Sequence, residues 1–309
     1  MARESNDKAD ASTYKNTTTP KPKPEKTESK TFCIIGDPID HSLSPLIHNS
    51  AFAALKLNYS YIAFKVPCDE LEGSIDSLRK IGIAGFNVTI PHKVNIIKFL
   101  DHLSPEARIA GAVNTVNNEN GRLVGYNTDI YGIMAPLEKQ KVDFNNLEIL
   151  ILGAGGACRA ALVALSSKKN GIKKINIVNR NQEKLEQVLK LGKDLGLNCF
   201  PMDYVNPVRL RENSLNSRLI INTTSIGLKN ESSPLQKEWI NKDALVFDIV
   251  YRPIFTDLLD KSKEIGAHII FGYEMLLYQG ARSFEIWTGI NAPIDIMKKA
   301  LLGVFGEPR

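Results

Sequence analysis

The sequence feature that most constrains the fold is a glycine-rich segment, Gly153–Ala157, which lies between two segments of different character. Leu147–Leu152 before it is almost entirely apolar, as is typical of a buried strand, and Ala160–Leu165 after it predicts a helix. Glycines at such a junction allow a tight turn, and the free N–H groups of the helix start can bind a pyrophosphate. Position 158 is cysteine rather than the third glycine of the dinucleotide-binding pattern, so a glycine-rich turn of an unrelated α/β protein stays open as an alternative.

The chain beyond this turn keeps alternating between strand-like and helix-like segments. Lys174–Val178 predicts a strand, and Leu185, Val188 and Leu189 mark an amphipathic helix whose second half is weakened by Gly192. Further strands are predicted over Leu219–Asn222, Ala244–Asp248 and His268–Phe271, with a last helical region from Met275. This alternation predicts an α/β fold with a doubly wound, mostly parallel sheet covered by helices on both faces.

The segment before residue 147 predicts a second α/β unit. Strands are expected over Phe32–Ile35, Tyr59–Val66 and Phe86–Ile90, and helices from Ser44, over Leu71–Ile81 and from near Lys93. Ser44-Pro45 indicates a helix start with serine at the N-cap and proline at the first helical position. Alternation in Phe86–Ile90 puts Asn87 and Thr89 on one polar face, and Asn120-Gly121 predicts a hairpin turn.

Composition excludes several classes of function. The 309 residues suffice for two domains, and the apolar runs are far shorter than the roughly 20 residues of a membrane helix. Four scattered cysteines without a CxxC pair, and five histidines without an HExxH motif, predict no metal site and a reducing, cytoplasmic location. A net charge of +5, without a concentrated basic face, favours an anionic small molecule over nucleic acid.

The first 30 residues differ from the rest of the chain. They contain no Leu, Ile, Val or Phe and are rich in Lys, Thr, Pro and Glu, so they cannot bury enough apolar surface to offset the entropy of ordering. We expect residues 1–30 to form a disordered tail, and the missing apolar region argues against a secretory signal. A nucleic-acid role for this basic tail is the alternative, although Tyr14 is its one aromatic residue.

The residues that follow the predicted strand Lys174–Val178 bear on the choice of cofactor. NAD-specific domains carry an acidic residue there for the ribose 2′-hydroxyl group, whereas this chain has Asn179 and Arg180. The guanidinium group of Arg180 can hold a 2′-phosphate, and Lys184 adds a second positive charge one helical turn on. The sequence therefore predicts NADP, with a solvated arginine at a helix start as the alternative.

A set of motifs, in order along the chain, resembles the shikimate dehydrogenase family over about residues 32–295. The motifs are His41-Ser42-Leu43-Ser44-Pro45, Asn87-Val88-Thr89-Ile90-Pro91-His92-Lys93, Gly111-Ala112-Val113-Asn114-Thr115, Asn127-Thr128-Asp129, Gly153–Ala157, Asn179-Arg180, Asp248-Ile249-Val250-Tyr251 and Gln279. The resemblance implies reversible NADPH-dependent reduction of 3-dehydroshikimate to shikimate, a step of chorismate and aromatic amino acid biosynthesis. Two departures are Asn181, where the family usually has threonine, and Glu274, in a stretch that is normally richer in glycine and lies near the nicotinamide side.

The resemblance also implies a division of the chain and a role for each matching residue. It implies a substrate-binding domain over residues 31–133, a Rossmann-type NADP-binding domain over 134–272, and C-terminal helices over 273–309 that return to the substrate domain. The implied catalytic pair is Lys93 and Asp129. The implied substrate-binding residues are Ser42 and Ser44 for the carboxylate with Tyr251 near it, and Thr89, Asn114, Asp129 and Gln279 for the ring hydroxyls. The implied cofactor-binding residues are Gly153, Ala154, Gly155, Gly156, Ala157, Asn179, Arg180, Lys184, Ile249 and Gly272.

The residue types suit this chemistry without the resemblance. Hydride delivery to a ketone builds negative charge on oxygen, and a lysine paired with an aspartate can neutralise or protonate that oxygen. Each residue also has a structural explanation, since Ser44 and Asp129 can cap helices and Asn87 and Thr89 can form the solvated face of a strand. We treat His92 as structural.

Two functional alternatives stay open. A quinate or dual quinate/shikimate dehydrogenase performs the same chemistry, although two serines and Arg180 favour shikimate with NADP. A non-catalytic sensor can share the fold, but the presence of both Lys93 and Asp129 argues against it. The expected partner is the small-molecule substrate, with a monomer or a homodimer as the assembly.

Overall fold

A computed structural model of the protein describes residues 28–202 and 206–305. Its strands are β1 (Lys30–Gly36), β2 (Tyr59–Lys65), β3 (Gly85–Val88), β4 (His102–Leu103), β5 (Thr115–Glu119), β6 (Arg122–Tyr126), β7 (Leu147–Leu152), β8 (Ile172–Val178), β9 (Cys199–Met202), β10 (Leu219–Asn222), β11 (Leu245–Asp248) and β12 (His268–Ile270). Its α-helices are α1 (Ser44–Ala54), α2 (Leu71–Lys80), α3 (Pro105–Ala110), α4 (Asp129–Lys139), α5 (Gly156–Ser166), α6 (Gln182–Asp194), α7 (Pro207–Asn216), α8 (Asp257–Glu264), α9 (Gly272–Thr288) and α10 (Ile294–Phe305). Short 3₁₀ helices span Cys68–Glu70, Asn95–Phe99 and Lys237–Trp239. Most of the predicted tail lies outside the described residues, and Lys30 already belongs to β1.

The second half of the chain forms a six-stranded sheet whose paired strands are all parallel, in the order β12-β11-β10-β7-β8-β9. Strand order reverses between β7 and β10, which is the point where doubly wound sheets bind ligands, at the carboxyl ends of the strands. The interior of these strands is buried, as the near-continuous apolar runs predict. The predicted α/β class with a doubly wound sheet is confirmed.

The first half forms a mixed six-stranded sheet in the order β2-β1-β3-β5-β6-β4. Its β1, β2 and β3 run parallel, while β5 pairs antiparallel with both β3 and β6. The hairpin between β5 and β6 turns at Asn120-Gly121, where both residues have positive φ, as predicted. This pairing brings the end of β3 beside the start of β5. The motif that begins at Asn87 therefore lies next to the motif that ends at Thr115.

Helix α9 contributes to the cores of both halves. Met275 packs in the core of the parallel sheet, whereas Leu276, Phe284 and Trp287 pack under the mixed sheet. The indole N–H of Trp287 donates to the carbonyl oxygen of Val116 on β5 at 2.9 Å. The predicted boundaries after residues 133 and 272 stay predictions; the first lies within α4 and the second at the start of α9.

Several predicted element ends are wrong. Ser44 is the first residue of α1 rather than its cap: Leu43 holds the N-cap position, and the hydroxyl oxygen of Ser42 accepts from the N–H of Ser44 at 3.3 Å. β3 ends at Val88, because beyond it the chain turns and the N–H of His92 donates to the carbonyl oxygen of Thr89.

Two predicted helices differ in detail from the observed ones. The helix expected near Lys93 is the short 3₁₀ helix Asn95–Phe99, and Lys93 itself lies in the turn before it, where its carbonyl oxygen accepts from the N–H of Val113 at 2.7 Å. Helix α6 continues through Gly192, because a side chain there would overlap Cys199 and glycine lets the helix lie against β9. The last helical region begins at Gly272 rather than Met275.

Within the part of the chain that the structure describes, no helix is both long and apolar enough to cross a membrane.

The contact between α4 and α9 yields a stability prediction. A Cβ at Gly132 would lie 2.9 Å from Gln279 Cβ and 2.9 Å from the Met275 carbonyl oxygen. We expect Gly132→Ala to lower the free energy of unfolding by about 1–3 kcal/mol, because the helices must move apart. The matched control is Gly73→Ala on α2, where a Cβ meets nothing within 4 Å.

The control should stabilise the protein by about 0.5 kcal/mol, because alanine restricts the unfolded chain. Chemical denaturation of both variants measures the difference. Equal effects of the two substitutions would contradict close packing between α4 and α9.

Candidate active site

The centre of the site is an ion pair between Lys93 and Asp129. Lys93 Nζ donates to Asp129 Oδ2 at 2.5 Å, and the two side chains are 19% and 4% exposed. The second carboxylate oxygen, Oδ1, accepts from Asn114 Nδ2 at 2.8 Å. Both oxygens of a nearly buried carboxylate are therefore bonded, as a buried charge requires, and the ammonium group keeps an accessible side.

Backbone hydrogen bonds hold the segments that carry these residues. Val88 N donates to the Asn114 carbonyl oxygen at 2.8 Å, and Val113 N donates to the Lys93 carbonyl oxygen at 2.7 Å. Asp129 is the first residue of α4, and Thr128 holds the N-cap position before it. Asp129 therefore does not cap the helix with its side chain, which turns to Lys93 and Asn114 instead.

The hydrogen-bond partners of the Asn114 side-chain amide allow only one orientation of its oxygen and nitrogen atoms. Thr128 N can only donate, and it lies 2.7 Å from Asn114 Oδ1, while the Asp129 carboxylate can only accept and faces Nδ2. Asn114 Nδ2 also approaches Gln279 Oε1 at 3.3 Å, and Gln279 Nε2 donates to the Leu276 carbonyl oxygen. Four predicted residues, Lys93, Asn114, Asp129 and Gln279, thus meet in one cluster.

The N-terminus of α1 gathers a second group of predicted residues. Ser42 and Ser44 lie there, and the Tyr251 phenol lies near the backbone of Leu43 between them. Burial raises the pKa of Tyr251, so the phenol stays protonated at neutral pH. A helix N-terminus with two hydroxyl groups and a phenol suits a carboxylate.

Thr89 lies just beyond β3, where its N–H donates to the Ile35 carbonyl oxygen at 2.9 Å. A Cβ on Gly36 would overlap Thr89 Cγ2, so the two strand ends lie close together. Thr89 therefore lies next to the end of β1, four residues before Lys93, with its side chain partly exposed.

The glycine turn lies directly beside the ion pair. Gly153 has φ of +103°, its N–H donates to the Val178 carbonyl oxygen at 2.7 Å, and a Cβ there would lie 2.8 Å from Thr223 Oγ1. A Cβ on Gly156, the first residue of α5, would lie 3.6 Å from Lys93 Cδ. Since a Cβ on Gly155 would meet nothing within 4 Å, the turn presents open backbone at a helix N-terminus, which fits a pyrophosphate.

The predicted 2′-phosphate residues lie at the end of β8. Asn181 caps α6, since its Oδ1 accepts from Lys184 N at 2.9 Å, and Asn179 Nδ2 donates to the Asn181 carbonyl oxygen at 2.8 Å. The Arg180 and Lys184 side chains are exposed next to this cap. Asn181 therefore keeps the local structure that a threonine cap would give, and the two exposed cations lie beside it.

Ile249 and Gly272 lie at the carboxyl ends of β11 and β12. Ile249 directly follows β11, and its N–H donates to the Asn222 carbonyl oxygen at 3.1 Å. A Cβ on Gly272 would overlap the Val250 carbonyl group, so α9 can start there only with glycine. Together with the turn after β7, these residues line the point where strand order reverses.

His92 and Glu274, which the sequence analysis singled out, are both buried and bonded to neighbouring groups. His92 is buried and its Nε2 lies 2.6 Å from the Val66 carbonyl oxygen, consistent with a structural role. Glu274 is also buried, and its carboxylate pairs with Lys139 Nζ at 3.3 Å, which ties α9 to α4.

Sequence reasoning missed the polar residues behind the site. Asn87 is 4% exposed rather than part of a solvated strand face, because α9 and the ring of Tyr61 cover it. Thr115, Thr128 and Ser283 are buried with it and hydrogen bond to one another. Thr115 and Thr128 belong to the motifs that the sequence analysis lists. Ser283 could be suspected only because it lies one helical turn after Gln279, on the same face of α9.

No group of three or more His, Cys, Asp and Glu side chains in residues 28–202 and 206–305 is arranged to hold a metal ion.

Comparisons with known proteins identify the relatives of this chain. Family models described as the shikimate dehydrogenase substrate binding domain, shikimate/quinate 5-dehydrogenase, and the shikimate 5′-dehydrogenase C-terminal domain match residues 34–116, 136–225 and 272–302. The shikimate dehydrogenase (NADP⁺) of Nitrosopumilus maritimus is 50% identical over 278 residues, which is 89% of this chain and 99% of that protein.

Solved structures agree with these matches. The shikimate 5-dehydrogenase of Listeria monocytogenes, in complex with shikimate and NAD, has 36% identity and a TM-score of 0.79, covering 90% of this chain and 98% of that one. The enzyme of Thermus thermophilus, in complex with NADP(H) and shikimate, has 35% identity and a TM-score of 0.77, covering 88% and 98%.

The doubly wound sheet, its glycine turn and the adjacent lysine–aspartate pair define a two-domain dehydrogenase of the dinucleotide-binding class. The matches over nearly the whole described chain narrow this class further. The chain belongs to the shikimate dehydrogenase family.

A buried histidine below the site yields a pH prediction. His48 stacks on Tyr61 with ring centroids 4.5 Å apart, neither ring nitrogen has a hydrogen-bond partner, and burial lowers its pKa to about 3. Below pH 6.5 the His48 side chain binds a proton in the unfolded chain but stays neutral in the folded protein. The free energy of unfolding therefore falls as the pH drops. Between pH 7 and 5 the wild type should lose about 2 kcal/mol more unfolding free energy than His48→Phe.

Denaturation curves at the two pH values test this difference. The control is His102→Gln at an exposed position, which should follow the wild type. The same pH dependence in the wild type and in His48→Phe would contradict a neutral, buried His48.

Proposed function

We propose that this protein is an NADP-dependent shikimate dehydrogenase, which reversibly reduces 3-dehydroshikimate to shikimate. The observation that carries the proposal is the Lys93–Asp129 pair, bonded at 2.5 Å and lying beside the glycine turn. Relatives named shikimate dehydrogenase (NADP⁺) and a relative solved with NADP(H) and shikimate support it. The enzyme class is an oxidoreductase acting on a secondary alcohol.

The chemistry is divided between the cofactor and the protein. When bound, the nicotinamide cofactor supplies the hydride for the ketone carbon or accepts it from the alcohol. Lys93 Nζ carries the proton and positive charge that the developing oxygen anion requires. Asp129 keeps the ammonium group oriented, and its own position is fixed by Asn114 Nδ2.

The remaining predicted residues would bind the substrate. Ser42 and Ser44 at the start of α1, with Tyr251, would hold the carboxylate, which helix N-termini favour. Thr89, Asn114 and Gln279 would bond to the ring hydroxyl groups, and each such group left unmatched would cost about 1–3 kcal/mol. These assignments follow from the family motifs and from the grouping of the side chains.

For the cofactor, the pyrophosphate would lie on Gly153, Ala154, Gly155, Gly156 and Ala157, at the N-terminus of α5. Asn179, Arg180 and Lys184 would surround the adenosine 2′-phosphate, and Ile249 and Gly272 would flank the nicotinamide side. The proposal extends to a cytoplasmic enzyme, which agrees with four free cysteines, and to a monomer or a homodimer.

An assay of purified protein with shikimate or quinate, each with NADP⁺ or NAD⁺, tests the function. We expect the highest kcat/KM with shikimate and NADP⁺. Preference for quinate would replace the proposed substrate, and inactivity with both acids would contradict the proposal.

Replacing the lysine tests its catalytic role. We expect Lys93→Ala to lower kcat by about 10²-fold with a smaller change in KM, because a general acid acts mainly in the transition state. Steady-state kinetics measure both constants, with Lys98→Ala as the control at a nearby exposed lysine. Near-normal kcat in Lys93→Ala would mean that the lysine only binds substrate.

Replacing the arginine tests cofactor choice. We expect Arg180→Ala to lower kcat/KM for NADP⁺ by about tenfold and to leave the value for NAD⁺ almost unchanged, because a planar cation–phosphate contact is lost. The control is Lys190→Ala, at an exposed position on the same helix α6. An unchanged ratio of the two efficiencies would remove the assignment of Arg180.

A further inference from the structure

A buried chain of hydrogen bonds runs behind the site from β2 to Asn114. The hydroxyl group of Tyr61, on β2, donates to Asn87 Oδ1 at 2.6 Å, and Asn87 Nδ2 donates to the Asn114 carbonyl oxygen at 3.1 Å. Ser44 also lies close enough to the Tyr61 phenol to lower its pKa slightly, against the larger effect of burial. The chain therefore connects a tyrosine on β2 with the asparagine that holds Asp129.

The direction of these bonds follows from which groups can donate. The Asn114 carbonyl oxygen can only accept, so the Asn87 amide presents Nδ2 to it and Oδ1 to Tyr61. Asn87 Oδ1 can only accept, so the phenol proton of Tyr61 belongs to this bond. Tyr61 is thus the donor that fixes the Asn87 amide.

The position of the Tyr61 hydroxyl group is set by aromatic packing. Its ring is 1% exposed and stacks on His48, with centroids 4.5 Å apart and planes inclined by 10°. The Trp287 ring of α9 lies 6.0 Å away. Burial raises the pKa of Tyr61 well above its usual value, so the phenol keeps its proton at neutral pH.

Three hydroxyl groups strengthen the same connection. The oxygens of Thr115, Thr128 and Ser283 form a triangle with sides of 3.1, 2.8 and 3.1 Å. Asn87 Nδ2 reaches two of its corners, Thr115 at 3.0 Å and Ser283 at 3.1 Å. Because Thr115 and Thr128 also bond to Asn114 Oδ1, the Asn87 amide supports both the backbone and the side chain of Asn114.

We propose that Tyr61 is a positioning residue of the active site, whose hydroxyl group holds Asn87 and, through Asn114, the Lys93–Asp129 pair. This inference rests on the proposed function of the site. It adds a residue from β2, a strand that none of the predicted site residues occupies. Tyr61 acts through Asn87 rather than by contact with the reacting atoms.

The test removes one oxygen atom. We expect Tyr61→Phe to lower kcat for shikimate oxidation by about fivefold or more, with KM for NADP⁺ unchanged, because Asn87 loses its donor. The matched control is Tyr59→Phe, on the same strand, whose ring packs on Phe32 and Phe52 at 5.7 and 5.5 Å outside this network. The control should keep the wild-type kcat.

A role in folding alone would lower the melting temperature of Tyr61→Phe without changing kcat at a temperature where the variant is folded. A folded Tyr61→Phe with the kcat of Tyr59→Phe would therefore overturn the proposal. A double-mutant cycle adds a second readout: with Asn87→Ala, the combined loss in kcat/KM should be smaller than the product of the separate losses, because both variants remove the same hydrogen bond. Strict multiplication would overturn the connection to Asn87.

Ser283 gives an independent pair of variants should Tyr61→Phe not fold. Ser283→Thr keeps the hydroxyl group and should retain kcat, whereas Ser283→Ala should lower it about threefold, because one corner of the triangle is lost. The control is Ser262→Ala on α8, a buried helix serine that donates to the Leu258 carbonyl oxygen at 2.7 Å. Equal kcat in Ser283→Thr, Ser283→Ala and Ser262→Ala would overturn the positioning role of the network.

The wild type separates this inference from the proposed function. Without turnover of shikimate by the wild type, both fail. With normal turnover by the wild type and by Tyr59→Phe, an unaffected Tyr61→Phe overturns the inference alone.

Discussion

The constraint on which the site depends is the burial of one carboxylate. Asp129 is almost fully buried, and a buried charge is stable only when it is paired and hydrogen bonded. Lys93 and Asn114 satisfy one oxygen each, so removing either partner would leave part of the charge uncompensated. The segments around the site hold Lys93 and Asn114 in contact with Asp129.

Helix α9 is the element that makes this arrangement possible. It starts against the backbone after β11, where only glycine fits, passes α4 at Gly132, and continues under the mixed sheet. On the way it delivers Gln279 to Asn114 and Ser283 to the hydroxyl triangle. A helix shared by both cores in this way couples the proposed cofactor-binding half to the proposed substrate-binding half.

Much of this could be predicted from sequence because it depends on local patterns. The turn at Gly153 and the alternation of apolar strands and helices identify the doubly wound sheet, and the ordered motifs identify the lysine and the aspartate. Local reasoning fails where tertiary contacts decide the outcome. Ser44 looks like a helix cap, but Ser42 accepts its N–H, and Asn87 looks solvated, but Tyr61 and α9 cover it. No local pattern indicates that Tyr61, some 26 residues before Asn87, supplies its donor.

The central claim is that Lys93 and Asp129 face the oxygen of the reacting carbon. The most direct measurement is a crystal structure of the protein with shikimate and NADP⁺ bound. The account predicts the reacting hydroxyl oxygen within about 3.2 Å of both Lys93 Nζ and a carboxylate oxygen of Asp129, with the nicotinamide ring on the side of the glycine turn. A complex in which the pair points away from the substrate, or in which the substrate binds elsewhere, would contradict it.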